Sequence, residues 1–128
     1  MLPFADFDVL TFDCYGTLID WETGLWEALQ PILAQHHIAI TTDEALALYG
    51  ALESEVERGP YQVYRMVLRM VLEGLGARLG FVPTEAELQR FSASVTAWPA
   101  FPAQFLCSLR THWTASAEDL ACRPEPLP

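Results

Sequence analysis

The sequence predicts a mostly helical chain that begins with one buried β-strand. Residues 7–12 are a short β-branched and aromatic run that leads into a glycine-containing turn, a pattern typical of strands inside a parallel sheet. From residue 20 to about residue 97, apolar side chains recur at helical spacing, and two capping boxes mark helix starts. Apolar residues make up 52% of the chain and charged residues 19%, which favours a globular protein over a disordered one.

The predicted strand at residues 7–12 has no convincing partner in the sequence, and the short run at residues 37–40 is the nearest candidate. A single strand cannot satisfy its own backbone donors and acceptors, so it needs a larger sheet or another chain. We therefore expect a truncated sheet domain. A homo-oligomer formed through the exposed strand edge is one way to complete it.

The first two helices follow the strand and its turn. Asp20 is placed as the N-cap of the first helix, and Pro31 is expected to kink it. Thr41 and Glu44 form a capping box that opens the second helix, which we expect to end at Gly59. One face of the first helix is predicted to hold Leu25, Leu29, Ile32, Leu33 and His36.

The third predicted helix covers about residues 61–79 and is apolar on nearly all sides. Such a helix usually lies between neighbouring helices. Its narrow polar strip includes Arg65 and Arg69, and Arg69 has the spacing of an i,i+4 ion pair with Glu73.

Thr84 and Glu87 form the second capping box and open a fourth helix with Leu88, Phe91 and Val95 facing inward. A proline-rich connector and a weaker fifth helix follow, and the polar, proline-rich end is expected to be disordered. The predicted organisation has four parts: the strand and its loop at residues 1–20, a helical domain at 21–97, a connector and helix at 98–113, and a disordered tail at 114–128.

Composition excludes several classes of function. The net charge of -10 argues against nucleic acid as a partner, and no apolar run approaches the length of a membrane span. Cys14, Cys107 and Cys122 have no metal-binding or disulfide spacing, and the N-terminus has no basic leader, so we expect a cytoplasmic protein. His36 and His37 end a helix, where a dipole interaction or exposure is expected rather than metal binding.

The residues that follow the strand are the candidates for chemistry. Asp13 lies at the C-terminal end of the predicted strand, where open α/β sheets place their sites. Gly16 allows a tight turn that brings backbone N–H groups close to a ligand. Thr17 can donate a hydrogen bond to the Asp13 carboxylate and hold one oxygen in position for attack. Cys14 is expected to point away as a small core residue.

The strand, the motif Asp-x-Tyr-Gly-Thr-Leu at residues 13–18 and the nearby Asp20 resemble the first motif of the haloacid dehalogenase (HAD) superfamily. The helical stretch after it is similar to that family's helical cap, and the likeness covers about residues 4–102. The resemblance implies an α/β fold, a Rossmann-like core with a helical cap, of which this chain is the N-terminal portion. It also implies a hydrolase in which Asp13 is the catalytic nucleophile and forms a covalent intermediate that water hydrolyses.

Tyr15 separates two branches of that family. Family phosphatases usually have a second aspartate at this position, which protonates the leaving oxygen. A halide needs no proton, so the resemblance implies a 2-haloacid dehalogenase, with Tyr15, Gly16 and Thr17 supporting the nucleophile and a small 2-haloacid as substrate. No cofactor or metal is implied, and Mg²⁺ is needed only by the alternative, a small-molecule phosphatase.

A weaker resemblance concerns Arg65. Dehalogenases of this group have a cap arginine in a Tyr-x-x-Leu-Arg context that binds the departing halide, and residues 61–65 are similar, with Tyr64 in place of the leucine. A cation is required because the substrate is an anion that approaches a carboxylate. The alternative, which we favour, is that Arg65 belongs only to the polar strip. Tyr64 is expected to be a core residue rather than part of a substrate pocket.

The sequence departs from the family after about residue 102. The later Ser/Thr and acidic motifs are not recognisable, and all seven basic residues are arginine, so the family's lysine is absent. Its loss removes an electrostatic stabiliser worth several kcal/mol. Three alternatives stay open: a dehalogenase-type hydrolase, a Mg²⁺-dependent phosphatase, and a catalytically inactive fragment or helical interaction module.

Overall fold

A computed structural model of the chain describes residues 13–102. They belong to two units: residues 13–20 and 100–102 to the first, and Trp21–Pro99, here called the helical unit, to the second. Three predicted features lie outside the described residues: the strand at residues 7–12 with its edge, the fifth helix within 103–113, and the tail at 114–128.

Most of the described residues are helical, which confirms the mostly helical expectation. Between residues 13 and 102 the β-type contacts are two isolated bridges, Tyr15–Ile19 and Ile19–Ala100. This part of the chain therefore does not show the α/β architecture that the resemblance implied. The helical unit contains α1 (Trp21–Gln35), α2 (Thr42–Glu57), α3 (Tyr64–Leu79), α4 (Glu85–Ala93) and a 3₁₀ helix (Ser94–Ala97).

The core of the helical unit forms around α3, which packs against both α2 and α4 as its apolar pattern predicts. Five of its apolar side chains are buried: Val67, Leu68, Val71, Leu72 and Leu75. The predicted inward face of α1 is also buried, with Leu25, Leu29 and Ile32 fully excluded from solvent. Leu88 and Phe91 of α4 are buried as expected, whereas Val95 lies in the 3₁₀ helix and is half-buried.

Both predicted capping boxes are present. Thr41 precedes α2, and its side chain accepts a hydrogen bond from the Glu44 amide while Glu44 accepts one from the Thr41 amide. Thr84 and Glu87 make the same reciprocal pair at the start of α4. Each box satisfies amides that the first helical turn leaves without a partner.

Two helices end in a residue with a left-handed backbone. Gly80 has φ 84° after α3, and the amides of Gly80 and Phe81 both donate to the Gly76 carbonyl. His37 has φ 57° after α1, with its amide bonded to the Ala34 carbonyl at 3.1 Å. Glycine is the usual residue at such a helix end because a side chain is strained there, so the sequence does not reveal the role of His37.

Gly24 of α1 marks a close approach inside the helical unit. A β-carbon at this position would lie 2.5 Å from two indole atoms of Trp98, which is itself only 7% exposed. The Trp98 ring also contacts Tyr64 edge-on, with ring centroids 6.3 Å apart. The first residue of the predicted connector, Trp98, therefore belongs to the helical core, because its ring fills the space next to Gly24.

Candidate active site

The Asp13 loop, residues 13–20, is a tight turn closed by its own backbone. The Cys14 carbonyl accepts hydrogen bonds from the amides of Leu18 at 2.8 Å and Ile19 at 2.9 Å, and the Gly16 amide donates to the Ile19 carbonyl at 2.8 Å. Gly16 has φ 83°, a backbone conformation that glycine adopts without strain. The turn thus explains the glycine in the motif.

Within this turn, Thr17 lies close enough to orient the Asp13 carboxylate. The Thr17 hydroxyl donates to Oδ2 of Asp13 at 3.1 Å, which is the contact that the sequence predicts. The carboxylate is exposed, and Oδ1 accepts no hydrogen bond from a described residue. One oxygen is therefore held while the other is accessible to a small molecule.

The amides of Gly16, Leu18 and Ile19 donate to loop carbonyls and close the turn, while the approach of backbone N–H groups to a ligand stays a prediction. The expectation for Cys14 is wrong. Cys14 is exposed and is not a core residue. The turn encloses the Cys14 carbonyl and leaves the side chain outside. Tyr15, two residues after Asp13 in the chain, is 46% exposed.

The chain returns to the Asp13 loop after the helical unit. The Phe101 amide donates to the Leu18 carbonyl at 3.0 Å, and Ala100 forms an antiparallel bridge with Ile19. Residues 18–19, where the chain leaves the first unit, are thus paired with residues 100–101, where the chain re-enters that unit. This pairing restrains the backbone of residues 18–19 and so limits the conformations open to the Asp13 loop.

Arg65 and its neighbour Arg69 differ in their surroundings. Arg65 lies on α3 in the second unit, is exposed, and makes no ion pair with a described residue. Arg69 does not form the predicted pair with Glu73; its guanidinium donates to both oxygens of Glu85, at 2.9 and 2.8 Å. The bidentate contact with α4 wins because it offers two parallel charge-assisted bonds. These bonds lower the pKa of Glu85 and raise that of Arg69.

A surface depression of about 440 Å³ lies beside the segment that resembles the halide-binding motif. Its walls carry one carboxylate and no arginine, since Arg65 is not among the lining residues. An anion is disfavoured in this depression, because the Glu57 carboxylate in its wall repels it. The depression is lined by Val56, Glu57, Pro60, Tyr61, Gln62, Tyr64 and Val67.

Tyr64 belongs to a hydroxyl network that the sequence does not reveal. Its hydroxyl and that of Tyr49 both donate to Oε1 of Glu53, at 2.8 and 2.9 Å, and the two hydroxyls are 3.0 Å apart. Burial, with the hydrogen bond to Tyr64, raises the pKa of Tyr49, so this phenol stays protonated. Tyr64 thus links the core to the depression, whereas the expectation made it a core residue alone. Only the i,i+4 spacing of Tyr49 and Glu53 could have signalled the network.

The described residues offer no ready metal centre. Between residues 13 and 102, no three His, Cys, Asp or Glu side chains converge on a point where an ion could bind. None of the helices in the same part of the chain is long and apolar enough to cross a membrane.

No protein-family model matches the sequence, and no match is found among curated proteins.

Proposed function

We propose that the chain is a hydrolase of the haloacid dehalogenase type that acts on a small 2-haloacid in the cytoplasm. One oxygen of Asp13 bonds to the carbon that bears the halogen, and the halide leaves with the electron pair of the carbon–halogen bond. Water then attacks the carbonyl carbon of the resulting ester, which releases the hydroxy acid and restores the carboxylate. The observation that carries the proposal is the hydrogen bond from Thr17 to Oδ2 of Asp13.

The geometry of the Asp13 loop fits this first step. Thr17 restrains one carboxylate oxygen, so the other is presented in a narrower range of orientations than a free side chain would allow. The glycine at position 16 keeps the turn tight, and Asp13 is exposed enough for a substrate to reach it. Tyr15 in place of a second aspartate agrees with a leaving group that needs no proton.

The electrostatics require a cation that the loop does not contain. An anionic substrate approaches a carboxylate in a chain of net charge -10 that has no lysine. Arg69 and Arg78 are each held by a glutamate, whereas Arg58, Arg65 and Arg90 make no ion pair with a described residue. Of these three, Arg65 is the one that the resemblance singles out. On this proposal Arg65 or a cation from another chain lowers the barrier as the charge moves onto the halide.

A second candidate is a helical module without catalysis. It is favoured by the helical unit, which has its own buried core and capped helix starts whether or not Asp13 reacts. A Mg²⁺-dependent phosphatase has less support, because Tyr15 stands where family phosphatases usually have a second aspartate.

The test is halide release from 2-chloropropionate by the purified full chain. Asp13→Asn should reduce the rate by at least about a thousandfold, since it removes the nucleophile while keeping the shape of the side chain. Arg65→Gln should slow release, whereas Arg90→Gln, which removes another exposed arginine without an ion pair to a described residue, should not.

Circular dichroism of each variant separates lost chemistry from lost folding. A chain that is helical but releases no halide would contradict the hydrolase proposal and favour the helical module. Cleavage of p-nitrophenyl phosphate that depends on added Mg²⁺ would instead favour the phosphatase.

A further inference from the structure

We propose that the surface depression between α2 and α3 binds a small organic ammonium ion. Its volume of about 440 Å³ lies within the range of about 300–1,000 Å³ that is typical of small-molecule sites. Its wall combines one carboxylate, two phenol rings and an apolar surface, contributed by Glu57, by Tyr61 and Tyr64, and by groups such as Val56 and Val67. All the lining residues belong to the helical unit, so the site does not include Asp13 and does not depend on the proposed hydrolase.

The carboxylate of Glu57 supplies the charge that selects a cation. Two other glutamates near the end of α2 are occupied: Glu53 accepts two tyrosine hydroxyls, and Glu55 is paired with Arg78 at 3.0 Å. Glu57, the last residue of α2, is exposed and makes no ion pair with a described residue. The last turn of α2 holds no basic residue, although a helix C-terminus favours a cation. A bound cation would therefore offset both negative ends.

Other charges near the depression do not reverse this preference. The first turn of α3 borders the depression through Tyr64, and its positive helix end offsets the negative end of α2 by a similar amount. Arg58 follows Glu57 in the chain and Arg65 follows Tyr64, but neither arginine lines the depression. The wall thus carries one formal charge, which is negative, and an ammonium ion is favoured over an anion or a neutral molecule of the same shape.

The ring of Tyr64 is held in place before any ligand binds. Its hydroxyl donates to Oε1 of Glu53 at 2.8 Å, and its ring contacts Trp98 edge-on with centroids 6.3 Å apart. Binding therefore costs little ordering of this side chain. A phenol that donates to a carboxylate is polarised toward its ring, which strengthens the attraction between the ring face and a cation.

The ring of Tyr61 provides a second aromatic surface that is open to solvent. Tyr61 is 91% exposed and makes no hydrogen bond or ring contact with a described residue. Its ring can therefore turn onto a bound ion without breaking an existing contact. A trimethylammonium group suits this wall, because its methyl groups pack against apolar side chains while its charge interacts with the rings and the carboxylate.

The first test follows the backbone amides of the full chain by two-dimensional NMR as choline is added at constant ionic strength. The matched control is 3,3-dimethylbutan-1-ol, which has the shape of choline without the charge. Choline should shift the signals of residues 56–67 saturably at up to about 50 mM, since an open site of this size is expected to bind in the millimolar range. Absence of a saturable shift, or equal binding of the neutral alcohol, would overturn the proposal.

A charge variant tests the role of the carboxylate. Glu57→Gln should weaken choline binding about threefold, the size expected for an exposed ion pair. Glu27→Gln is the matched control, because it removes the same charge at an exposed position of α1 that is not part of the depression. Equal weakening by both variants would mean that choline responds only to the net charge of the chain, which contradicts a site at Glu57.

A ring variant tests the aromatic contact. Tyr61→Leu keeps an apolar side chain but removes the ring, and should weaken choline binding by about two- to fivefold. Tyr61→Phe retains the ring and should bind choline as the wild type does. Tyr61 is almost fully exposed, so neither change disturbs the core. Unchanged choline binding by Tyr61→Leu would overturn the aromatic part of the site.

Discussion

The Asp13 loop and the helical unit are each stabilised internally by a different kind of interaction. The helical unit buries apolar side chains from all four helices, and Leu68 and Leu72 on α3 are fully excluded from solvent. The Asp13 loop is closed by backbone hydrogen bonds within residues 14–19 and keeps Asp13 exposed. Since burial is the main stabilising term and accessible polar groups do chemistry, we expect substitutions in the first region to change stability and those in the second to change activity.

The largest expected effect tests that contrast in the core. Leu72→Ala should lower the free energy of unfolding by about 2–5 kcal/mol, because it removes a buried side chain and leaves a cavity. Leu18→Ala in the Asp13 loop is the matched change at a half-buried position and should cost about 1 kcal/mol or less. Urea unfolding measures both, and equal costs would mean that the loop is as important to stability as the core.

A smaller effect is expected where α1 meets Trp98. Gly24→Ala should destabilise the protein by about 1–3 kcal/mol, because its β-carbon would overlap the indole ring. Gly50→Ala on α2 is the control: no atom lies within 4 Å of the added carbon, and alanine favours a helix by about 1 kcal/mol. Thermal unfolding should therefore shift in opposite directions, and a shift in the same direction would show that the packing is looser than described.

The smallest effects on stability are expected when threonine is replaced by alanine, once in the helical unit and once in the Asp13 loop. Thr84→Ala removes the N-cap of α4 and should cost about 1 kcal/mol. Thr17→Ala removes the bond to Asp13 and should change stability by less than about 0.5 kcal/mol, while on the proposed function it slows halide release. A Thr17→Ala protein with unchanged halide release would argue against an orienting role for Thr17.

The candidate site was predictable only where its parts are close in the sequence. Thr17 is four residues from Asp13, so the turn brings the two side chains together, and the bond was predicted. The exposure of Cys14 was not, since it depends on how the turn lies on its surroundings. Arg65 belongs to the other unit, and no spacing rule relates its position to Asp13.

The sequence by itself determined the capped starts of α2 and α4, the apolar faces and the tight turn at Gly16. Each of these depends on propensity or on residues within four positions, and such short-range terms are the same in any fold. The tertiary structure decided which distant groups meet: Arg69 with Glu85, His36 with Glu87, and Gly24 with Trp98. These pairs form because burial of the helix faces brings α1, α3 and α4 together, and the polar side chains at their edges then bond to the nearest partner.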